Sequence, residues 1–206
     1  MGLVLSAALH FSASGPLSWT ALDQKLTAVQ QRSYAELDSA RLELGSFSEA
    51  DSFFQSSFEP LSLLGPRPVY RIEVNPRLLA LDCPPEALEA VLAHELAHTL
   101  DYRQGGPLGV LAIGWQLLLD PASYERRTDL QAIFRGYGPG LIRYREWLYR
   151  QLTPAQISRK RRIYFSPEEI GLILQRLDGL SFAKFEQLRA RWLAQPPLTM
   201  AQLQAG

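Results

Sequence analysis

The chain has 206 residues, 47% hydrophobic and 20% charged, proportions that exclude a disordered segment and fit one globular domain with a substantial core. Basic and acidic residues balance at 21 each, so no net field draws nucleic acid or a strongly acidic partner. The single cysteine, Cys83, excludes an internal disulfide, and no apolar run reaches the length of a spanning helix.

Residues 1–22 carry no Asp, Glu, Lys or Arg, and residues 3–9 are mostly apolar. Small residues at 12–15 suit signal cleavage, yet there is no basic leader and the apolar stretch is short, with His10 at its end. Residues 1–18 therefore read as a signal or an N-terminal tail, leaving periplasmic or extracellular export and cytoplasmic residence equally open. Residues 19–206 form one domain, divided into a lobe (19–106) with a strand and the key helix and a helical lobe (107–206).

From 19 to 44 the apolar positions Leu22, Leu26, Val29, Tyr34, Leu37 and Leu44 approximate a helical stripe broken near Ser33, predicting one long or two short helices. Residues 46–60 read as a loop with aromatic anchors Phe53, Phe54 and Phe58, and Gly65-Pro66-Arg67-Pro68 as a turn. Residues 69–74 alternate, Tyr70, Ile72 and Val74 against Arg71 and Glu73, which predicts a strand with one buried face. A helix opens at Pro85 and Glu86, with Leu88, Leu92, Leu96 and Leu100 as its core stripe, and stops by Gly105-Gly106-Pro107.

Residues 108–119 are almost wholly apolar but too few to span a bilayer. A buried helix is expected there, with peripheral membrane contact as the alternative. Helices follow over 123–134 and 141–152 with a hinge at 136–140, and Thr153-Pro154, Ser166-Pro167 and Ser181 start three more. The basic run 159–162 reads as a solvated helix face, and Tyr144, Trp147 and Tyr149 as core aromatics among snorkelling arginines. The fold class is α+β, mostly helical, a small sheet packed on the helix from Pro85.

That helix carries His94-Glu95-Leu96-Ala97-His98, a HExxH motif. Histidines four apart lie one above the other on a helix face and reach one cation. Glu95, rotated about 100° from His94, stands beside the cation to hold a water, the arrangement metal-assisted hydrolysis needs. A catalytic zinc takes three protein ligands and an open position. The extended form HExxHxxGxxH is absent, since Asp101 and Gln104 occupy its added positions, and the only other histidine is His10. A carboxylate must then complete the set. Glu125 and Asp129, four apart on the next helix, are the best pair: one can bind the ion while the other orients a ligand histidine. Asp120, against Pro121, is weaker. Asp101 reads as a helix-end polar residue, and Cys83 as an inert small side chain.

HELAH followed by a Glu-x-x-x-Asp helix resembles the gluzincins, zinc metallopeptidases with glutamate as third ligand. The spacing is also like that of membrane-bound CAAX-processing and heat-shock peptidases, whose transmembrane helices this chain lacks, so it is more similar to the small soluble minigluzincins. The resemblance covers about 69–129. It implies a zincin-like fold, Zn2+ held by His94, His98 and Glu125, Glu95 as general base, Asp129 supporting a ligand, and 69–74 as an edge strand pairing with an extended peptide or protein substrate. The expected activity is zinc-dependent peptide hydrolysis; the alternative is a metal-binding module for binding or assembly. Tyr137, Tyr144, Tyr164 and Arg135 are the candidates for stabilising the oxyanion.

Overall fold

The computed structural model describes residues 17–205. The signal-or-tail expectation and His10 fall almost wholly outside these residues. Among them the protein is mostly helical with one three-stranded mixed sheet, an α+β fold.

Helix α1 (Trp19–Ser33) starts where Ser18 accepts a hydrogen bond from the Ala21 amide, and it buries Leu22, Leu26 and Val29. It ends there. The expected helical continuation to Leu44 is replaced by a 3-10 turn carrying Leu37 and by strand β1 (Arg41–Ser46). Leu42 and Leu44 are two apart, and that local period of two prevails once a neighbouring strand supplies backbone partners. The 46–60 loop is also corrected: β2 (Phe54–Phe58) lies within it. Its serines have little intrinsic strand preference, so pairing with β3 (Val69–Val74) decides the conformation. The aromatic anchors do pack: Phe53 on Trp147 at 5.0 Å, Phe54 on Tyr144 at 6.3 Å, Phe58 on Tyr102 at 5.2 Å.

β3 has the expected alternation, with Tyr70, Ile72 and Val74 buried. It is not an edge strand. β1 pairs with it in parallel and β2 antiparallel, so β3 is central and β2 is an edge.

Helix α2 (Pro85–Leu119) crosses the core, with Leu88, Leu92, Leu96 and Leu100 buried. It bends at Gly106, whose φ of 57° and ψ of −164° lie in a region open only to glycine. Past this bend the expected burial of 108–119 fails. Ile113 is buried and, with Val110 and Leu117, packs against Tyr70, Tyr102 and Tyr124. Leu108, Leu111, Trp115, Leu118 and Leu119 are exposed, Leu108 at 81%. The bend carries this half of the helix away from the main core, so only one side finds a neighbour.

Helix α3 (Pro121–Ala132), capped by Asp120, runs through a π turn with Gly136 at φ 94° into α4 (Gly138–Tyr149). Helices α5 (Pro154–Ile163) and α6 (Pro167–Leu177) both open with capping boxes, Thr153 with Gln156 and Ser166 with Glu169. Helices α7 (Phe182–Ala194) and α8 (Met200–Ala205) close the helical part.

The expected hinge at 136–140 is instead partly a packing device. A Cβ on Gly140 would lie 2.5 Å from the Glu86 carbonyl oxygen and 2.7 Å from Ala90 Cβ, so glycine lets α4 lie directly on α2. Gly140→Ala is expected to lower stability by about 1–3 kcal/mol through overpacking, read from the midpoint of urea unfolding.

Candidate metal centre

The centre is assembled from two helices. Along α2, His94 and His98 share one face with both rings buried; along α3, Glu125 and Asp129 turn inward towards them. Glu125 Oε2 lies 3.3 Å from His94 Nε2 and 3.2 Å from His98 Nε2, and the two nitrogens are 3.2 Å apart. A tetrahedral ion with bonds of about 2.0–2.1 Å needs donors about 3.3 Å from one another. The three atoms form such a face, and Glu125 Oε2, though buried, has no hydrogen bond. The residues present therefore fit a metal ion.

The far sides of the rings are held. His94 Nδ1 lies 2.9 Å from Asp129 Oδ1, and His98 Nδ1 lies 3.0 Å from the Tyr124 hydroxyl. In the neutral tautomers that metal binding requires, with the protons on Nδ1 beside these oxygens, both Nε2 lone pairs would face Glu125. Fully buried Asp129 also accepts from Arg145 Nη2 at 2.9 and 3.2 Å and from the Phe165 amide at 3.1 Å. Burial pushes its pKa up, but Arg145 and His94 outweigh this and hold it below the ordinary carboxylate range. Burial likewise opposes charge on His94, yet Asp129 and Glu125 raise its pKa to about 10. The site attracts positive charge.

Glu95 is buried beside the histidines, and its Oε2 has no hydrogen-bond partner. Burial raises its pKa, partly countered by His94 and His98. It lines two adjoining cavities. The larger, about 260 Å³, takes in both histidines, Glu125 and the β2 residues Phe54, Gln55 and Ser56. The smaller, about 30 Å³, lies against Val91, Tyr144 and Tyr164.

The other sequence candidates separate. Tyr164 lines both cavities with its ring 5.9 Å from that of His94, and Tyr144 lines the smaller one. Tyr137 and Arg135 belong to a different region: the Tyr137 hydroxyl lies 2.8 Å from Ser33 Oγ and Arg135 donates to the Ser33 carbonyl. Asp120 caps α3, and Asp101 ties α2 to α3 through Arg127 and Gln131. Burial pushes the Cys83 thiol up to about 12, consistent with an inert side chain. Glu125 and Asp129 do not pair with Arg126 and Arg127, which reach Glu169 and Asp101 instead.

Arg145, Tyr124, Lys160 and Thr128, whose hydroxyl lies 3.5 Å from His98 Nδ1, were not legible as site residues. Tyr124 and Thr128 each precede an acid of the Glu125–Asp129 row, a signal that could have found them. Arg145 sits among aromatics in a helix that reads as core, and its 4% exposure distinguishes it from a snorkelling side chain.

The chain matches no protein-family model, no curated protein and no solved structure.

Asp129→Asn, which weakens the hold on His94, is expected to lower divalent-metal affinity about 10- to 100-fold, measured by competition with a chelating dye. Asp129→Ala leaves Arg145 buried without its partner and is expected to cost about 3–5 kcal/mol, measured by urea unfolding.

Proposed function

We propose that the protein is a zinc-dependent peptidase with a zincin-like centre: His94, His98 and Glu125 hold the ion, and Glu95 is the general base. The observation that carries this reading is the triangle of three buried donor atoms 3.2–3.3 Å apart, with an unpartnered glutamate beside it. Two histidines and one carboxylate, with no fourth protein ligand among the described residues, leave a position open, as hydrolytic zinc sites do and structural ones do not. The same openness argues against the alternative, a metal-binding module without hydrolysis.

A zinc ion held here supplies Lewis acidity, bringing the pKa of a water near 7 and polarising the scissile carbonyl. Glu95 accepts the water's proton and delivers it to the leaving nitrogen. Its buried carboxyl has the raised proton affinity this shuttle needs. The cavity of about 30 Å³ beside it has room for a water. Tyr164 donates to the developing oxyanion: its hydroxyl makes no hydrogen bond among the described residues, and burial lifts its pKa well above the ordinary range, keeping the donor protonated.

The resemblance assigned substrate pairing to 69–74, but that strand is central. An extended substrate pairs instead with the outer edge of β2, whose Phe54, Gln55 and Ser56 line the cavity with the histidines. Asp129, through His94, fixes ring orientation and does not touch substrate.

Purified protein is expected to hold about one zinc per chain by elemental analysis, lost in His94→Ala. Glu95→Gln is expected to keep the zinc and lose at least about 10²-fold in cleavage of a peptide library, the scale of a general base. Stoichiometric zinc without any cleavage by wild type would favour the binding module.

A second reading concerns location and is compatible with the first. Residues 107–119 carry no charge, and Leu108, Leu111, Trp115, Leu118 and Leu119 form an exposed apolar face. An uncharged face with a central tryptophan offers no directional pairing to a protein but suits the headgroup–acyl boundary of a bilayer. Flotation with phosphatidylcholine vesicles is expected to recover the protein, and Trp115→Ser with Leu118→Ser to abolish recovery; a wild type that stays at the bottom overturns this contact.

A further inference from the structure

The four consecutive cations 159–162 on α5 do not share one solvated face. Arg159 pairs with Asp51, and Arg161 pairs with Glu168 and lies over the Tyr149 ring. Lys160 turns the other way, into the cleft. It lines both the larger cavity, with the histidines and Glu125, and the smaller one, with Glu95. Its Nζ lies 5.5 Å from the centroid of the Tyr164 ring, and no carboxylate among the described residues pairs with it.

The cleft's charges make this unusual. Arg145, which lines the smaller cavity, is taken up by Asp129, and Arg159 at the rim by Asp51. Among the described residues, Lys160 is thus the one lysine or arginine lining the larger cavity, and its partner there is a ring face. Burial, with Arg145 and Arg159 nearby, lowers its pKa, so its charge is held at a cost that a bound anion would offset. The carboxylates that line the cavity, Glu49, Glu95 and Glu125, repel an anionic substrate unless something receives it. The carboxylate is the anion that an unmodified peptide carries.

We propose that Lys160 is the receptor for a substrate carboxylate, so that the cleft selects peptides with a carboxylate beside the scissile bond. This rests on the peptidase reading above. The carboxylate has two sources, the peptide's own C-terminus or an Asp or Glu side chain.

The test compares kcat/KM on matched peptides that differ by one charge: free acid against C-terminal amide, and Glu against Gln at each position flanking the cut. The wild type is expected to prefer one carboxylate-bearing member about 10- to 100-fold, the range of a hydrogen bond to a charged group. Preference for the free acid assigns the C-terminus, and preference for Glu assigns the side chain. Lys160→Met is expected to bring that ratio to about one, while Lys160→Arg keeps most of it. A wild type indifferent to the carboxylate overturns the proposal. So does Lys160→Met lowering every member by the same factor, the behaviour of an oxyanion donor. The same peptides, fluorescently labelled, are titrated onto zinc-loaded Glu95→Gln protein with and without Lys160→Met. A Lys160-dependent preference in binding, with no cleavage by wild type, fails the peptidase reading and leaves the carboxylate receptor standing; no preference in binding overturns the receptor itself.

Discussion

The carboxylate of Asp129 is the point on which the centre depends. It is completely buried, and it is approached by His94 from α2, Arg145 from α4 and the Phe165 amide on the approach to α6. A lone carboxylate at that depth would be expensive; three donors make it tolerable and tie four segments together. Removing any one donor affects the others, because the same two oxygens serve all of them. The orientation of His94 is therefore set by the packing of three helices and the segment before α6.

The donor triangle follows from this arrangement. Nε2 of His94, Nε2 of His98 and Oε2 of Glu125 would be an unfavourable cluster if each presented only lone pairs to the others. They are kept there because their opposite sides are committed, His94 to Asp129 and His98 to Tyr124. The strain of bringing three acceptors together would be relieved by positive charge at their centre, and the raised pKa of His94 expresses the same demand. Pre-organisation of this kind would spare an ion the cost of gathering its ligands.

How much of this could be read from the sequence depends on the range of the interaction responsible. The pairs at 94/98 and 125/129 are i,i+4 relations on single helices, so local periodicity reveals them. The core stripe of α2 is equally local. β1 and β2 were misread because their conformation comes from pairing with β3, a contact between distant residues that Leu42, Leu44 and the serines of β2 do not announce. The edge position of β3 was an implication of the resemblance alone: one strand's alternation says which face is buried, not how many neighbours it has. Arg145 was hidden because its role is defined by Asp129, sixteen positions earlier on another helix. Residues 108–119 were misjudged for a different reason. A helix apolar on all sides is normally buried, and only the backbone at Gly106 reveals that it leaves the core.

The two walls of the cleft are joined unequally. Beneath the metal centre, α2 and α3 are tied by buried groups. At the rim, α5 meets the segment before β2 through Arg159 and Asp51, a pair whose arginine is more than half exposed. Such a pair contributes about 0–1 kcal/mol, little against the buried network at the floor. The small cavity this rim encloses admits a water beside Glu95 but no peptide group. From the same helix Lys160 turns inward, where it lines both this cavity and the larger one along β2. The weak contact lies at the rim. The strong contacts are those that must not move if His94, His98 and Glu125 are to keep their spacing.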